Sequence, residues 1–426
     1  MQGQSVHFDF DERLLDNGLR VVLEQDRSTP VVAVHLMYHV GSKHERPGRT
    51  GFAHLFEHLL FQGSGHVPKG EHFRYIQNAG GTLNGSTWFD RTNYFEVVPS
   101  SELALALWLE SDRMGFFDQG ITREKLDNQR GVVKNERRQS YENRPYGLAF
   151  ETLLGLAYPE GHPYRHPTIG YMEDLDAASL EDVHDFFRSY YAPNNAVLVM
   201  VGDLDPEDAL AEADRWFGEF PARDVPDPPE VERIGGERGE RRGTIEDAVQ
   251  VPRVYMLYHA PSFNDPAFEA SDVLTSLLAE GKSSSLHREL VYERRVAAEV
   301  EAFTWPLEDV GMFLVVATAR PGVSAPELEE AVDDVLDDVR TSGVSEDEVE
   351  GARNRARRSL VGQVNSVGDR ADAVAHAAVL RDDPGYVNRA FDRYLAVSRE
   401  DVLDVADATL RPERRAVLHV VPREAS

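Results

Sequence analysis

Runs and alternations of apolar residues divide the chain into recognisable elements. "NGLRVVLEQD" (17–26) and "PVVAVHLMYHVG" (30–41) alternate or run β-branched, as strands do. "SSELALALWLESDRMGFF" (100–117) and "TREKLDNQRGVVKNERRQSY" (122–141) carry apolar residues at helical spacing and open on Ser or Thr, which are good caps. "GTLNGSTWFDRTNYFEVVP" (81–99) reads as two strands around a turn. "GRTGFAHLFEHLLFQGS" (48–64) predicts a short helix capped by Thr50 and stopped by Gly63. The mixture predicts an α+β sandwich: a mostly antiparallel sheet with helices packed on one face.

The same pattern occurs twice. "SLEDVHDFFRSYYAPNNAVLVMVGD" (179–203) matches "SREDVLDVADATLRPERRAVLHVVPR" (398–423), with Ser179, Asp182, Val183 and Pro193 facing Ser398, Asp401, Val402 and Pro412. Further upstream, "HLMYHVGS" (35–42) resembles "VYMLYHAPS" (254–262). Coincidence at both ends of a repeat is improbable, so two tandem homologous domains are expected. The segment 221–243 is rich in Pro, Gly and charge and lacks periodicity, as a linker does. It separates residues 1–220 from residues 244–426.

Composition narrows the function classes. Of the 426 residues 41% are hydrophobic, enough to bury real cores, and no apolar run is long enough to span a membrane. "MQGQSVHFDF" has neither the basic nor the apolar region of a signal peptide. The compartment is left open: soluble and cytoplasmic as the chain stands, or exported if a leader has been removed. With no cysteine there are no disulfides and no thiolate ligands, so any zinc must sit on His and carboxylate. A formal charge of −29 disfavours nucleic acid. It fits a solvated acidic surface adapted to salt, or attraction of basic substrates.

Against this background the stretch "GFAHLFEHLLFQG" (51–63) is anomalous. His54, Glu57 and His58 interrupt a run of Phe, Ala and Leu, and burying such groups without partners costs roughly 1–3 kcal/mol each. Residues four apart stack on one helical face, so His54 and His58 can share one metal ion, with Glu57 on the same edge. A catalytic zinc takes three protein ligands and keeps one position for water. The segment 122–141 supplies a candidate third ligand. Leu126, Gln129, Val133 and Glu136 fall on one face, which points the Glu136 carboxylate inward while Arg137 and Arg138 turn aside. Glu142 competes but lies beyond the apolar stripe. The alternative is a pair of hydrogen-bonded core histidines and a buried Glu136–Arg salt bridge.

H-x-x-E-H followed by a helical Glu, in a duplicated chain of this length, resembles the pitrilysin/insulinase family of inverzincin metallopeptidases. More specifically it resembles the bacterial members whose subunits resemble those of mitochondrial processing peptidase. The resemblance implies one Zn2+ per chain on His54, His58 and Glu136, with Glu57 as catalytic base. It implies a clamshell of homologous halves that captures unfolded peptide. It also implies that the substrate is held as an added strand along "GGTLNGSTWFDRTNYFEVV" (80–98), where Asn84 is the residue expected to face it. One position departs from the pattern: many relatives carry a second Glu where this chain has Gln129.

The second half places Asp272, Thr275 and Ser276 where the first has His54, Glu57 and His58, so no second metal site is expected. Active single-chain relatives supply an Arg and, seven residues on, a Tyr from that half. Here the register gives Tyr292 and Glu299, with Arg294 and Arg295 out of phase. This implies a heterodimer with a homologous subunit that lacks the zinc motif but carries the Arg and Tyr. A homodimer using Arg294 or Arg295 is the alternative. The competing function is a non-catalytic core or assembly subunit of the same fold.

Overall fold

The structure is a computed structural model that describes residues 7–232 and 239–423. In chain order its helices are α1 (Phe52–Leu60), α2 (Glu71–Asn78), α3 (Leu103–Gly120), α4 (Arg123–Arg137), α5 (Ala149–Ala157), α6 (Met172–Ala177), α7 (Leu180–Tyr190), α8 (Pro206–Phe217), α9 (Phe268–Ala279), α10 (Ala325–Thr341), α11 (Glu346–Gly362), α12 (Val367–Leu380), α13 (Tyr386–Ala396) and α14 (Arg399–Thr409). Among the described residues no helix is long and apolar enough to cross a membrane.

The first compact unit comprises the chain through Asn135, His166–Pro229 and Val361–Arg389. Its strands are β1 (Asp11–Leu14), β2 (Arg20–Gln25), β3 (Val31–Tyr38), β4 (Thr82–Thr87), β5 (Thr92–Pro99) and β6 (Ala196–Gly202), in the order β1-β2-β6-β3-β5-β4. Only β2 and β6 run parallel. Alternation along β3 sends Val32, Val34, Leu36 and Tyr38 to one face and Ala33, His35 and Met37 to the other. All seven are buried. Tyr38 packs 4.6 Å from Tyr191 at the end of α7. The opposite face is covered by α12, where Asp372 lies 3.8 Å from His35 and 3.4 Å from Asn93. The expected single covered face is corrected to two. An uninterrupted run such as "PVVAVHLMY" demands burial on both sides.

The second unit comprises Glu136–Arg165, Glu230–Leu360 and the chain from Ala390 onward. Its strands are β7 (Arg241–Asp247), β8 (Arg253–Ala260), β9 (Ala297–Trp305), β10 (Gly311–Ala319) and β11 (Arg415–Pro422), in the order β7-β11-β8-β10-β9. The pairings reproduce the first sheet without β1, including one parallel pair, β7 with β11. The repeat extends to side chains. Ser179 and Ser398 each cap a helix (α7 and α14) in a reciprocal box with Asp182 and Asp401. One face of the second sheet packs α9, α10 and α14 around Val254, Met256 and Tyr258. The other is covered by α5, with Tyr158 just beyond it 5.1 Å from His259. Neither unit is one half of the sequence: α5 from the first half serves the second sheet, and α12 from the second half serves the first.

Behind α1 the first core contains a charge cluster. Arg113 (α3), Glu110 (α3), Glu96 (β5) and His72 (α2) are all at most 3% exposed. Arg113 donates to His72 Nε2 at 2.8 Å and lies 3.3 Å from Glu110, with its guanidinium between the rings of Phe61 and Tyr94 at 4.7 and 4.2 Å. Glu96 sits 3.3 Å from His72. Glu96 Oε2, both Glu110 oxygens, and Arg113 Nε and Nη1 have no hydrogen-bond partner among the described residues. One cation against two buried carboxylates leaves one negative charge in excess. Burial, and then the Glu110 carboxylate, hold the Glu96 carboxyl well above its ordinary 4.5.

Two predictions follow from that balance. Arg113→Met strips the carboxylates of their counter-charge and should destabilise the protein by about 3–5 kcal/mol. Glu96 keeps its proton to higher pH folded than unfolded. Its contribution is therefore complete below about pH 4.5 and is lost as pH climbs through the raised value. Melting temperatures at pH 5 and pH 8 should show Glu96→Gln gaining relative to wild type at the higher pH. An equal offset at both values would contradict the assignment.

Candidate metal centre

The motif helix enters through a glycine. Gly51 has φ 83°, and a Cβ there would lie 2.5 Å from the carbonyl of Ile169, so only glycine lets the two segments touch. Thr50 is not the cap. Its hydroxyl donates to Asp174 at 2.6 Å, while the Glu45 carboxylate accepts from the amides of Gly51 at 2.8 Å and Ala53 at 2.7 Å. A negative side chain thus closes the N-terminus of α1 from outside the helix. Burial pushes the Glu45 carboxyl up, against the amides of Ala53, Gly51 and Phe52, which favour its charged form. The helix ends at Leu60, and Gly63 follows in the left-handed region at φ 98°.

Phe52, Ala53, Leu55, Phe56, Leu59 and Leu60 are buried, and His54, Glu57 and His58 are half-buried along the remaining edge. The two imidazole centroids are 4.8 Å apart. Facing them is α4, started by Thr122, whose hydroxyl accepts from Lys125 N at 3.3 Å. By contrast, the Ser expected to start α3 falls in a 3-10 turn and makes no cap bond. Leu126, Gln129 and Val133 are buried along α4, and Glu136 continues their stripe as a half-buried residue. Donor atoms of His54, His58 and Glu136 lie within 4.8 Å of one another. Arg137 does turn from this stripe but is itself buried, donating to Glu151 at 2.8 Å. Glu142 lies in the π-turn after α4, 3.9 Å from Arg137, outside the convergent trio.

Glu57 is held from a direction that sequence spacing did not indicate. Thr87, the last residue of β4, donates its hydroxyl to Glu57 Oε2 at 2.7 Å. Asn84 is on the same strand and exposed, but alternation puts its side chain on the face opposite Gly85 and Thr87, and its Oδ1 accepts from Gly85 N at 2.9 Å. The structure therefore brings together His54, His58 and Glu136, places Glu57 beside them, and sets Asn84 apart on the terminal strand of the sheet.

A second trio, His72, Glu96 and Glu110, converges as closely. It already contains a cation, because Arg113 occupies the His72 nitrogen that a metal would need. The counterparts in the second unit are committed otherwise. Asp272 accepts from Tyr394 at 2.8 Å, Thr275 donates to the Asp272 carbonyl, and Ser276 donates to Glu280 and accepts from Arg355. Tyr292 is exposed in a π-turn, Glu299 lies on β9, and Arg294 pairs with Asp334 at 2.7 Å.

Known proteins resemble the chain over nearly its whole length. Residues 20–168 match the model described as Insulinase (Peptidase family M16), and residues 177–356 match that of the Peptidase M16 inactive domain. The zinc protease PqqE of Helicobacter pylori is 29% identical over 99% of this chain and 95% of its own length. A probable mitochondrial-processing peptidase subunit beta of Arabidopsis thaliana is 22% identical over 82% of this chain and 66% of its own. The crystal structure of a protease from Helicobacter pylori superposes with a TM-score of 0.91 at 28% identity, covering 97% of this chain and all of that one. With both domain models matched in order along a duplicated α+β chain, the protein belongs to the insulinase family of peptidases, family M16.

Proposed function

We propose that the chain is a zinc-dependent endopeptidase acting on unfolded peptides or leader sequences, and that it is the metal-bearing subunit of a two-subunit enzyme. The observation that carries this reading is the convergence of His54, His58 and Glu136, with Glu57 on the same short helix. Two imidazoles and a carboxylate, with no thiolate in the chain, are the donor set of a catalytic zinc site. His54 and His58 would bind as neutral rings and Glu136 as a carboxylate. When bound, zinc polarises a peptide carbonyl and makes a water acidic enough to ionise near neutrality. Glu57 takes the proton of the attacking water and passes it to the leaving amine nitrogen. β4 ends its sheet, so an extended peptide laid along it, past Asn84, would be bound through backbone pairing with little demand on sequence.

The need for a partner rests on the second unit. Tyr292 and Glu299 are not a guanidinium and a phenol, and Arg294 is already paired with Asp334. Metal chemistry without substrate positioning is slow, because positioning can supply of order 7–11 kcal/mol of a barrier at best. A non-catalytic core subunit would need neither metal nor base, so zinc content and cleavage together separate that role from the one proposed.

Elemental analysis should find one zinc per chain, lost in Glu136→Ala at micromolar zinc. Full occupancy in that variant would remove Glu136 from the ligand set. Glu57→Gln should keep zinc and fold while peptide cleavage falls by about 10²–10⁴-fold. Alone, the chain should bind zinc yet cleave a fluorogenic peptide poorly. A homologous subunit carrying the Arg–Tyr pair should restore the rate, with a maximum near equal stoichiometry. Efficient cleavage by the chain alone, abolished by substitution of Arg294 or Arg295, would establish a self-sufficient homodimer instead.

A further inference from the structure

Resting on that reading of Glu57, we propose that Thr87 is a positioning residue for the general base, so that one strand fixes both the base and the line along which substrate lies. A glutamate side chain has three rotatable bonds, and its carboxylate must be aimed before it can take a proton efficiently. The 2.7 Å bond from the Thr87 hydroxyl to Glu57 Oε2 restrains that freedom from outside the motif helix.

The tether is built to be rigid. Two residues earlier on the same face of β4 is Gly85, where a Cβ would meet the Phe61 ring at 3.1 Å and the Tyr94 ring at 3.2 Å. The missing side chain lets the end of α1 lie against β4, which brings Thr87 within reach of Glu57. On the neighbouring strand Thr92, paired with Thr87, donates to the Val40 carbonyl at 2.8 Å. On the opposite face Arg91 donates to the carbonyl and hydroxyl of Ser86 at 2.9 and 2.6 Å, and its Nε donates to His376 on α12 at 3.1 Å. Thr87 thus sits at the end of a strand clamped from both faces. Asn84, three residues back, lies on the edge along which a peptide would pair. A shift of β4 would move base and substrate line together, preserving their register.

The test compares Thr87→Val, which keeps shape and loses the hydroxyl, with Thr87→Ser, which keeps the hydroxyl. Cleavage of a fluorogenic peptide is measured with the partner subunit present if the chain requires one, alongside zinc content, melting temperature and calorimetric affinity for acetohydroxamic acid. Thr87→Val should lower kcat about tenfold with KM within about twofold, as loss of an outer hydrogen-bond partner does. Zinc content and melting temperature should hold, and hydroxamate affinity should fall severalfold. Thr87→Ser should recover most of kcat. The inference is overturned if Thr87→Val keeps wild-type kcat and hydroxamate affinity. It is equally overturned if Val and Ser lose activity alike together with zinc or melting temperature, since that marks a structural role. Wild-type activity in Glu57→Gln would overturn the reading of Glu57 itself, a result distinguishable from either outcome at Thr87.

Discussion

The site depends on how one short helix is held. The nine residues of α1 bury six apolar side chains and leave His54, Glu57 and His58 along a single edge. A helix this short has little stability of its own. Its direction is set at both ends by contacts from elsewhere: the Glu45 carboxylate on the first amides, the glycine contact at Gly51, and the close approach of Phe61 to Gly85. Each of these is distant in sequence or lies outside the motif. The motif supplies donor groups; the loop before it and the sheet edge beside it decide where those groups point.

How much of this was legible follows from the range of each interaction. His54 and His58 are four residues apart on one helix, and Glu136 continues a stripe of Leu126, Gln129 and Val133, so local periodicity put each on an inward face, while the meeting of the two helices was implied by the family resemblance. The duplication was legible for the same reason, because Ser179 with Asp182 and Ser398 with Asp401 are local capping pairs repeated in register. The failures are non-local. Thr50 looked like a cap because its residue type suits one, but Asp174 claims its hydroxyl and Glu45 does the capping. Thr87 carries no periodic signal that could tie it to Glu57. The covering of both sheet faces was written in the apolar run of β3, yet nothing local says that the covering helix comes from the other half of the chain.

That exchange of helices has a mechanical consequence within the first unit. α12 contributes Asp372 and His376, which meet His35, Asn93 and Arg91. Burial pushes His35 down to about 4, so it is neutral over most of the pH range; burial also works against ionisation of Asp372, yet its contacts with His376 and then Arg91 hold that carboxyl below its ordinary range. Through Arg91 the network reaches Ser86, next to Thr87. The strand whose Thr87 holds Glu57 is thus braced by a helix drawn from the second half of the sequence, while the candidate centre lies in the first. Because each unit includes a helix from the other half of the sequence, the two halves depend on each other for folding even though only one bears the candidate centre.

Two trios of His and carboxylate, each with donor atoms within 4.8 Å of one another, have opposite characters, and the difference is one arginine. Around His72, Glu96 and Glu110 the countercharge is Arg113, covalently part of the chain and stacked between two rings in a core closed to water. A fixed cation makes that cluster a permanent piece of the interior, balanced by a proton. Around His54, His58 and Glu136 the groups are half-buried, and Arg137, the nearest arginine along α4, is drawn off by Glu151. Convergent donors within reach of solvent, with the adjacent guanidinium held elsewhere, suit an exchangeable cation rather than a built-in one. Proximity of ligand-type residues is therefore a poor guide to a metal centre until the chain's own cations have been placed.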